Sequence, residues 1–228
     1  MNGAYVVTGA SSGIGEAVAR RLLARGEDVL MVARRADRLA AVQGEFPRAR
    51  FFVCDLTEPE SVARVAAAVK ASVGPLAGFV HCAGFDAPAP LALVDDATAH
   101  ALYAVHAVFP MRFLGWMGKA PNHGEGASAV LVSSVACHEG YPGGAAYAAA
   151  KGAVEGLYAS AKPELATRGV RLELITPGVV DTDMPRNGWM RLVGPDRLAA
   201  VKARYPDGFP SADSVAAEIV ALLDGGAS

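Results

Sequence analysis

An excess of charge of either sign is missing from this sequence. Lys and Arg total 21 against 23 Asp and Glu, for a formal net charge of −2. That balance gives no electrostatic footprint for nucleic acid or another polyanion. Cysteine is also scarce. Cys54, Cys82 and Cys137 are odd in number and widely spaced, with no C-x-x-C. They read as free thiols in a reducing, cytoplasmic setting, with no metal site. No apolar run approaches the ~18 residues of a membrane span, so no membrane association is expected. Met1-Asn2-Gly3-Ala4 leads straight into an apolar strand, without the basic start of a secretory signal. Aromatic residues are only 7%. The remaining chain is rich in aliphatic residues. Hydrophobic residues make up 52% of the 228, with 19% charged, enough for one well-filled domain over 1–228.

Short β-branched runs alternate with longer Ala/Leu/Val stretches. Strands are expected at Ala4–Thr8, Asp28–Val32, Arg50–Cys54, Gly78–His81, Ala129–Ser133 and Val170–Ile175. Helices are expected at Gly13–Ala24, Asp37–Gln43, Glu58–Ser72, Asp95–Met117, Ala145–Arg168 and Ser211–Leu223. Gly26 suits the end of the first helix. Thr57 and Pro59 suit the start of the third. Strict β–α alternation predicts an α/β, doubly wound parallel sheet with helices on both faces. After Pro177-Gly178 the alternation stops. The stretch around 183–210 is long for a plain connection and reads as a substrate lid.

Two clusters carry chemistry. The first is Gly9-Ala10-Ser11-Ser12-Gly13-Ile14-Gly15, between the first strand and first helix. Gly9 permits a tight turn, Gly13 lets backbone approach a pyrophosphate, and Gly15 lets the helix pack close. The helix N-terminus then offers free N–H groups to phosphate. At the end of the second strand, Ala33 stands where an acidic residue would select NAD, and Arg34 and Arg35 follow. A guanidinium fork suits a 2′-phosphate, which predicts NADP(H). Asp55, after the third strand, is a candidate acceptor for the adenine amino group.

The second cluster is Tyr147 and Lys151, one helical turn apart and therefore on one helix face. A lysine ammonium beside a phenol favours the phenolate and lowers its pKa, which prepares a tyrosine to move a proton. Ser134 lies thirteen residues upstream of Tyr147.

With Cys54-Asp55-Leu56, Ala83-Gly84, Val132-Ser133-Ser134 and Pro177-Gly178-Val179-Val180-Asp181-Thr182, these motifs make the chain resemble the short-chain dehydrogenase/reductase family. The resemblance runs from about Ala4 to Asp183. It implies a Rossmann-type fold and hydride transfer between nicotinamide and a carbonyl or alcohol. It implies Tyr147 as proton donor, Ser134 as hydrogen-bond donor to the carbonyl oxygen, and Lys151 on the nicotinamide ribose. Leu56, Ala83, Gly84, Pro177, Gly178, Val180 and Thr182 are implied to line the cofactor, with Val180 and Thr182 at the carboxamide. There are three departures. Cys82 replaces an asparagine before Ala83-Gly84. His106 stands where the family carries a fourth catalytic residue, an asparagine, and is a candidate relay. The usual last strand is expected to be absent, with the sequence ending at Asp224-Gly225-Gly226-Ala227-Ser228.

The leading expectation is an NADPH-dependent enzyme interconverting a ketone and a secondary alcohol. The alternatives are a non-catalytic dinucleotide-binding regulator and an epimerase or dehydratase relative. Cys137 to Tyr141, with Met184, Trp189 and Met190, is expected to line a partly apolar substrate pocket. The expected assembly is a homodimer through the helices that bear His106 and Tyr147, with a tetramer as the second candidate.

Overall fold

The computed structural model describes residues 3–226. Six strands form one sheet: β1 (Ala4–Thr8), β2 (Asp28–Ala33), β3 (Ala49–Val53), β4 (Leu76–His81), β5 (His123–Val132) and β6 (Arg171–Ile175). Every pairing is parallel, and the order is β3-β2-β1-β4-β5-β6. This is the doubly wound Rossmann-type architecture that the β–α alternation predicts. Its topological switch point lies between β1 and β4, where ligands bind beyond the strand ends. No seventh strand follows β6 among the described residues.

The period-2 alternation of each strand sends successive side chains to opposite faces. Val6, Leu30, Phe79 and Leu131 point into one apolar layer, with Val65, Phe113 and Val154. Those three come from α3 (Ser61–Ser72), α5 (Phe109–Met117) and α7 (Ala145–Ala166). Val7, Met31, Val80 and Val130 point the other way, onto Leu22, Leu39 and Ile219. Those belong to α1 (Gly13–Ala24), α2 (Ala36–Glu45) and α10 (Ala212–Leu223).

Three sequence expectations change. The third helix starts at Ser61, not Glu58, because Asp55 to Ser61 is used in two hydrogen-bonded turns. β5 starts earlier, at His123. The long middle helix is interrupted: α4 (Asp96–Tyr103) and α5 flank a π-helical segment, Ala104–Val108. Pro110 supplies the cause. It has no N–H for the His106 carbonyl, and its ring crowds that carbonyl, so the turn widens. The Phe109 N–H accordingly reaches back to the Ala104 carbonyl.

The stretch after β6 holds α8 (Asp183–Asn187), a 3-10 turn (Trp189–Arg191) and α9 (Pro195–Lys202). Its two ends meet where the Asp181 N–H donates to the Pro210 carbonyl at 2.8 Å. The 183–210 segment is therefore a closed excursion over the ends of the strands. Among the described residues, no helix is long and apolar enough to cross a membrane.

Candidate active site

A cavity of about 640 Å³ opens along the C-terminal ends of the strands. The catalytic and cofactor candidates line it except His106, which sits behind its wall, fully buried. Of the expected substrate wall, Glu139, Gly140, Tyr141, Met184 and Trp189 line it, whereas Cys137, His138 and Met190 do not.

The glycine turn is tight for steric reasons. Gly9 has φ +70°, and a Cβ there would lie 2.8 Å from Ala83 backbone. A Cβ on Gly15 would lie 2.5 Å from the Gly9 carbonyl oxygen. Gly13 has φ +56° and opens α1 toward the cavity. The free N–H groups at this helix start and the approach left by the absent side chains suit a pyrophosphate. These residues therefore fit a dinucleotide.

The two arginines take different positions. Arg35 Nη2 donates to Ser11 Oγ at 3.0 Å and Ser12 Oγ at 2.5 Å, and Nε donates to Ser11 Oγ at 3.2 Å. One guanidinium and two hydroxyls thus converge beside the glycine turn. Arg34 is two-thirds exposed and pairs with Asp55 Oδ2 at 3.7 Å. Asp55 Oδ1 accepts from the Thr57 N–H and hydroxyl, so this carboxylate also fastens its own turn. Those Thr57 bonds and the Arg34 charge hold it below the usual carboxylate range, against burial.

Tyr147 and Lys151 leave the same face of α7, as their spacing requires. Their electrostatics differ from the sequence expectation. Burial raises the Tyr147 phenol well above its usual value, and the Asp86 charge adds to this. The Ser134 hydroxyl pulls the other way. Lys151 does not dominate. Its Nζ donates to the Val132 carbonyl at 2.7 Å and lies 5.7 Å from the Tyr147 ring centroid. Burial pushes Lys151 itself down to about 8. Tyr147 is thus held protonated, the form required of an acid. Ser134 Oγ accepts from the Ala136 N–H at 3.2 Å, which leaves its own proton to donate.

Behind Ser134, three donors converge on Glu155 Oε1: Ser133 Oγ at 3.0 Å, Cys137 Sγ at 3.1 Å and His138 Nε2 at 3.0 Å. They tie the Ser134 loop to the helix that carries Tyr147 and Lys151. Cys137, His138 and Glu155 have ligand-type atoms within 4.8 Å of one another, engaged in these hydrogen bonds.

His106 lies in the π-helical segment with its ring edge-on to Tyr147, centroids 5.4 Å apart. Its Nε2 is 3.0 Å from the Phe85 carbonyl, to which it donates. Nδ1 is buried without a hydrogen-bond partner among the described residues. Burial holds the ring far below its usual pKa, so it is neutral. Gly84 leaves the room: a Cβ there would lie 2.2 Å from His106 Cε1.

Three features escaped sequence reasoning. His81, at the end of β4, links Thr8 Oγ1 at 2.9 Å to the Val105 carbonyl at 2.9 Å, and so anchors the π segment to the sheet. Tyr205 closes over Pro177-Gly178, its hydroxyl accepting from the Val179 N–H at 3.0 Å. Asp86 accepts from the Tyr141 hydroxyl at 2.9 Å within the cavity. The partners are far apart in sequence, so no local pattern announces them.

Comparisons with known proteins agree with this geometry. The profile of the short chain dehydrogenase family matches residues 4–190. The cis-4-hydroxycyclohexanecarboxylate dehydrogenase of Sinomonas cyclohexanicum is 34% identical over 232 residues, covering 96% of this chain and 87% of that protein. The 3-oxoacyl-acyl-carrier-protein reductase of Escherichia coli is 28% identical over 219 residues, covering 96% and 88%. The crystal structure of the KRED1-Pglu enzyme superimposes with a TM-score of 0.86 at 27% identity, over 100% of this chain and 97% of that one. Sheet order, glycine turn and the Ser134–Tyr147–Lys151 constellation thus have one common explanation: the chain belongs to the short-chain dehydrogenase/reductase family of oxidoreductases.

Proposed function

We propose that this protein is an NADPH-dependent reductase that interconverts a ketone and a secondary alcohol. The observation that carries the cofactor assignment is Arg35, converging with the Ser11 and Ser12 hydroxyls beside the glycine turn. Ala33, at the end of β2, supplies no carboxylate to repel a 2′-phosphate. Gly9, Ser11, Ser12, Gly13, Ile14 and Gly15 cradle the phosphates. Asp55, Leu56, Ala83 and Gly84 flank the adenosine and ribose. Pro177, Gly178, Val180 and Thr182 border the nicotinamide, which supplies the hydride when bound.

The chain's own residues handle the oxygen. Ser134 donates a hydrogen bond to the carbonyl oxygen. Tyr147, kept protonated by burial, gives its proton to the same oxygen as negative charge develops there. Lys151 holds the ribose hydroxyls and places a positive charge beneath the tyrosine. His106, edge-on to Tyr147, stands where the usual asparagine would and is the candidate relay, tested by its Asn and Leu variants. Relatives named for a hydroxycyclohexanecarboxylate and a 3-oxoacyl carrier support a secondary alcohol or ketone as the substrate. The 183–210 excursion acts as the substrate lid.

The same reading includes a homodimer. Tyr103, Val108 and Met111 are exposed apolar side chains on the helical stretch that bears His106. A free-thiol chain of this type is assigned to the cytoplasm. The test is cofactor oxidation with a panel of ketones. NADPH should be oxidised far faster than NADH, and equal use of both would overturn the cofactor assignment.

A further inference from the structure

We propose that Asp86 is a specificity residue that selects carbonyl substrates bearing a second hydrogen-bond donor, a hydroxyl foremost. The proposal rests on the reductase reading above and deepens it. Asp86 follows the Ala83-Gly84 turn and lines the same cavity as Tyr147. Its charge also bears on the Tyr147 phenol.

The carboxyl is under-used as an acceptor. A carboxylate offers about four acceptor positions. Here one hydrogen bond of normal geometry reaches it, from the Tyr141 hydroxyl to Oδ2 at 2.9 Å. The Ala87 N–H bears on the carboxylate, yet Oδ1 has no hydrogen-bond partner among the described residues. Natural proteins seldom leave a buried acceptor unmatched without a functional reason. Burial also raises the pKa of Asp86, so the group is held at a cost.

The surroundings are those of a substrate wall. The lid turn covers the carboxyl: a Cβ on Gly188 would lie 3.3 Å from Asp86 Oδ2. The Trp189 ring, next in the lid, lies 6.0 Å from that of Tyr141. A ligand entering beneath the lid meets Asp86 between the Tyr141 and Trp189 rings and the Gly188 turn. A polar hydrogen on the substrate would add a hydrogen bond to the carboxylate beside that of Tyr141 on Oδ2. A methyl group in its place leaves the acceptor unmatched, and such sites discriminate strongly against the lacking analogue.

Two isosteric pairs test this: hydroxyacetone against butanone, and 4-hydroxy-2-butanone against 2-pentanone. Within each pair a hydroxyl replaces a methyl. In at least one pair, the hydroxylated ketone should show the higher kcat/KM, by about tenfold to hundredfold. Asp86→Ala should bring that ratio close to one. Tyr141→Phe should preserve it, because the carboxyl remains. A purely structural Asp86–Tyr141 contact predicts instead that both variants behave alike. Ratios near one in the wild type, or a ratio that survives Asp86→Ala, would overturn the proposal. Reduction of none of these ketones with either cofactor would count against the reductase reading. Trp189 fluorescence then decides the specificity claim separately. Titration with each hydroxylated ketone should change the emission more than titration with its isostere, in an Asp86-dependent way. Equal responses within both pairs, or a preference that survives Asp86→Ala, would overturn it.

Discussion

Lys151→Met should make the cofactor-free protein more stable at pH 7. The ammonium is buried, and burial pushes its pKa from the ordinary 10.5 down to about 8. At about 1.36 kcal/mol per pH step between those values, holding the charge inside costs roughly 3 kcal/mol. Methionine keeps the apolar stem and removes the charge. Its loss leaves the Val132 carbonyl without the 2.7 Å Lys151 bond, at about 1 kcal/mol. The net expectation is a gain of roughly 2 kcal/mol, with activity lost. The sign has a definite pH course. Below about 8 both folded and unfolded wild type carry the lysine proton, and the full penalty is present. Between about 8 and 10.5 the unfolded chain holds a proton that the folded one has released, so wild-type stability rises with pH relative to the variant. The gap therefore closes inside that range, and above it the variant should be the less stable by about 1 kcal/mol, the lost Val132 bond. Urea unfolding of both proteins across this pH range gives the comparison. A variant less stable than wild type at pH 7, or a difference that ignores pH, would refute the reasoning.

Arg35→Ala should lower kcat/KM for NADPH by about tenfold to hundredfold and affect NADH little, since charge-assisted hydrogen bonds carry about 1.5–3 kcal/mol. Arg34→Ala, at a side chain that is two-thirds exposed, should do less; an unchanged NADPH/NADH ratio in Arg35→Ala would contradict this. His106→Asn should retain activity, whereas His106→Leu should slow turnover and alter its pH dependence. An unchanged pH–rate profile in the leucine variant would make His106 a packing residue. Light scattering should give a dimer, dissociated by Met111→Asp on the exposed helical face; a stable wild-type monomer would sink the helix-pair assembly.

Much of this architecture is legible in the sequence because its signals are local. The alternation Val6/Val7 and Val80 beside Phe79 fixes two sheet faces, and Gly9 to Gly15 marks the first strand–helix turn. Spacing alone puts Tyr147 and Lys151 on one face. It does not report depth. The same lysine expected to favour the phenolate is turned to a backbone carbonyl, and burial governs the tyrosine instead. The π-helical segment was hidden because Pro110 acts one turn upstream, where the helical apolar pattern continues unbroken. The links from Thr8 to His81 and from Asp86 to Tyr141 join residues 73 and 55 positions apart. Only the fold brings them together.

The central claim is that Tyr147 delivers the proton while the rest of the site binds and orients. Tyr147→Phe keeps the ring against His106 and removes only the hydroxyl. The direct measurement is the rate of NADPH oxidation with a ketone that the wild type reduces, alongside NADPH affinity by fluorescence. The variant should bind NADPH as tightly as wild type and lose nearly all turnover. Turnover within a few-fold of wild type would contradict the assignment of Tyr147 as the acid.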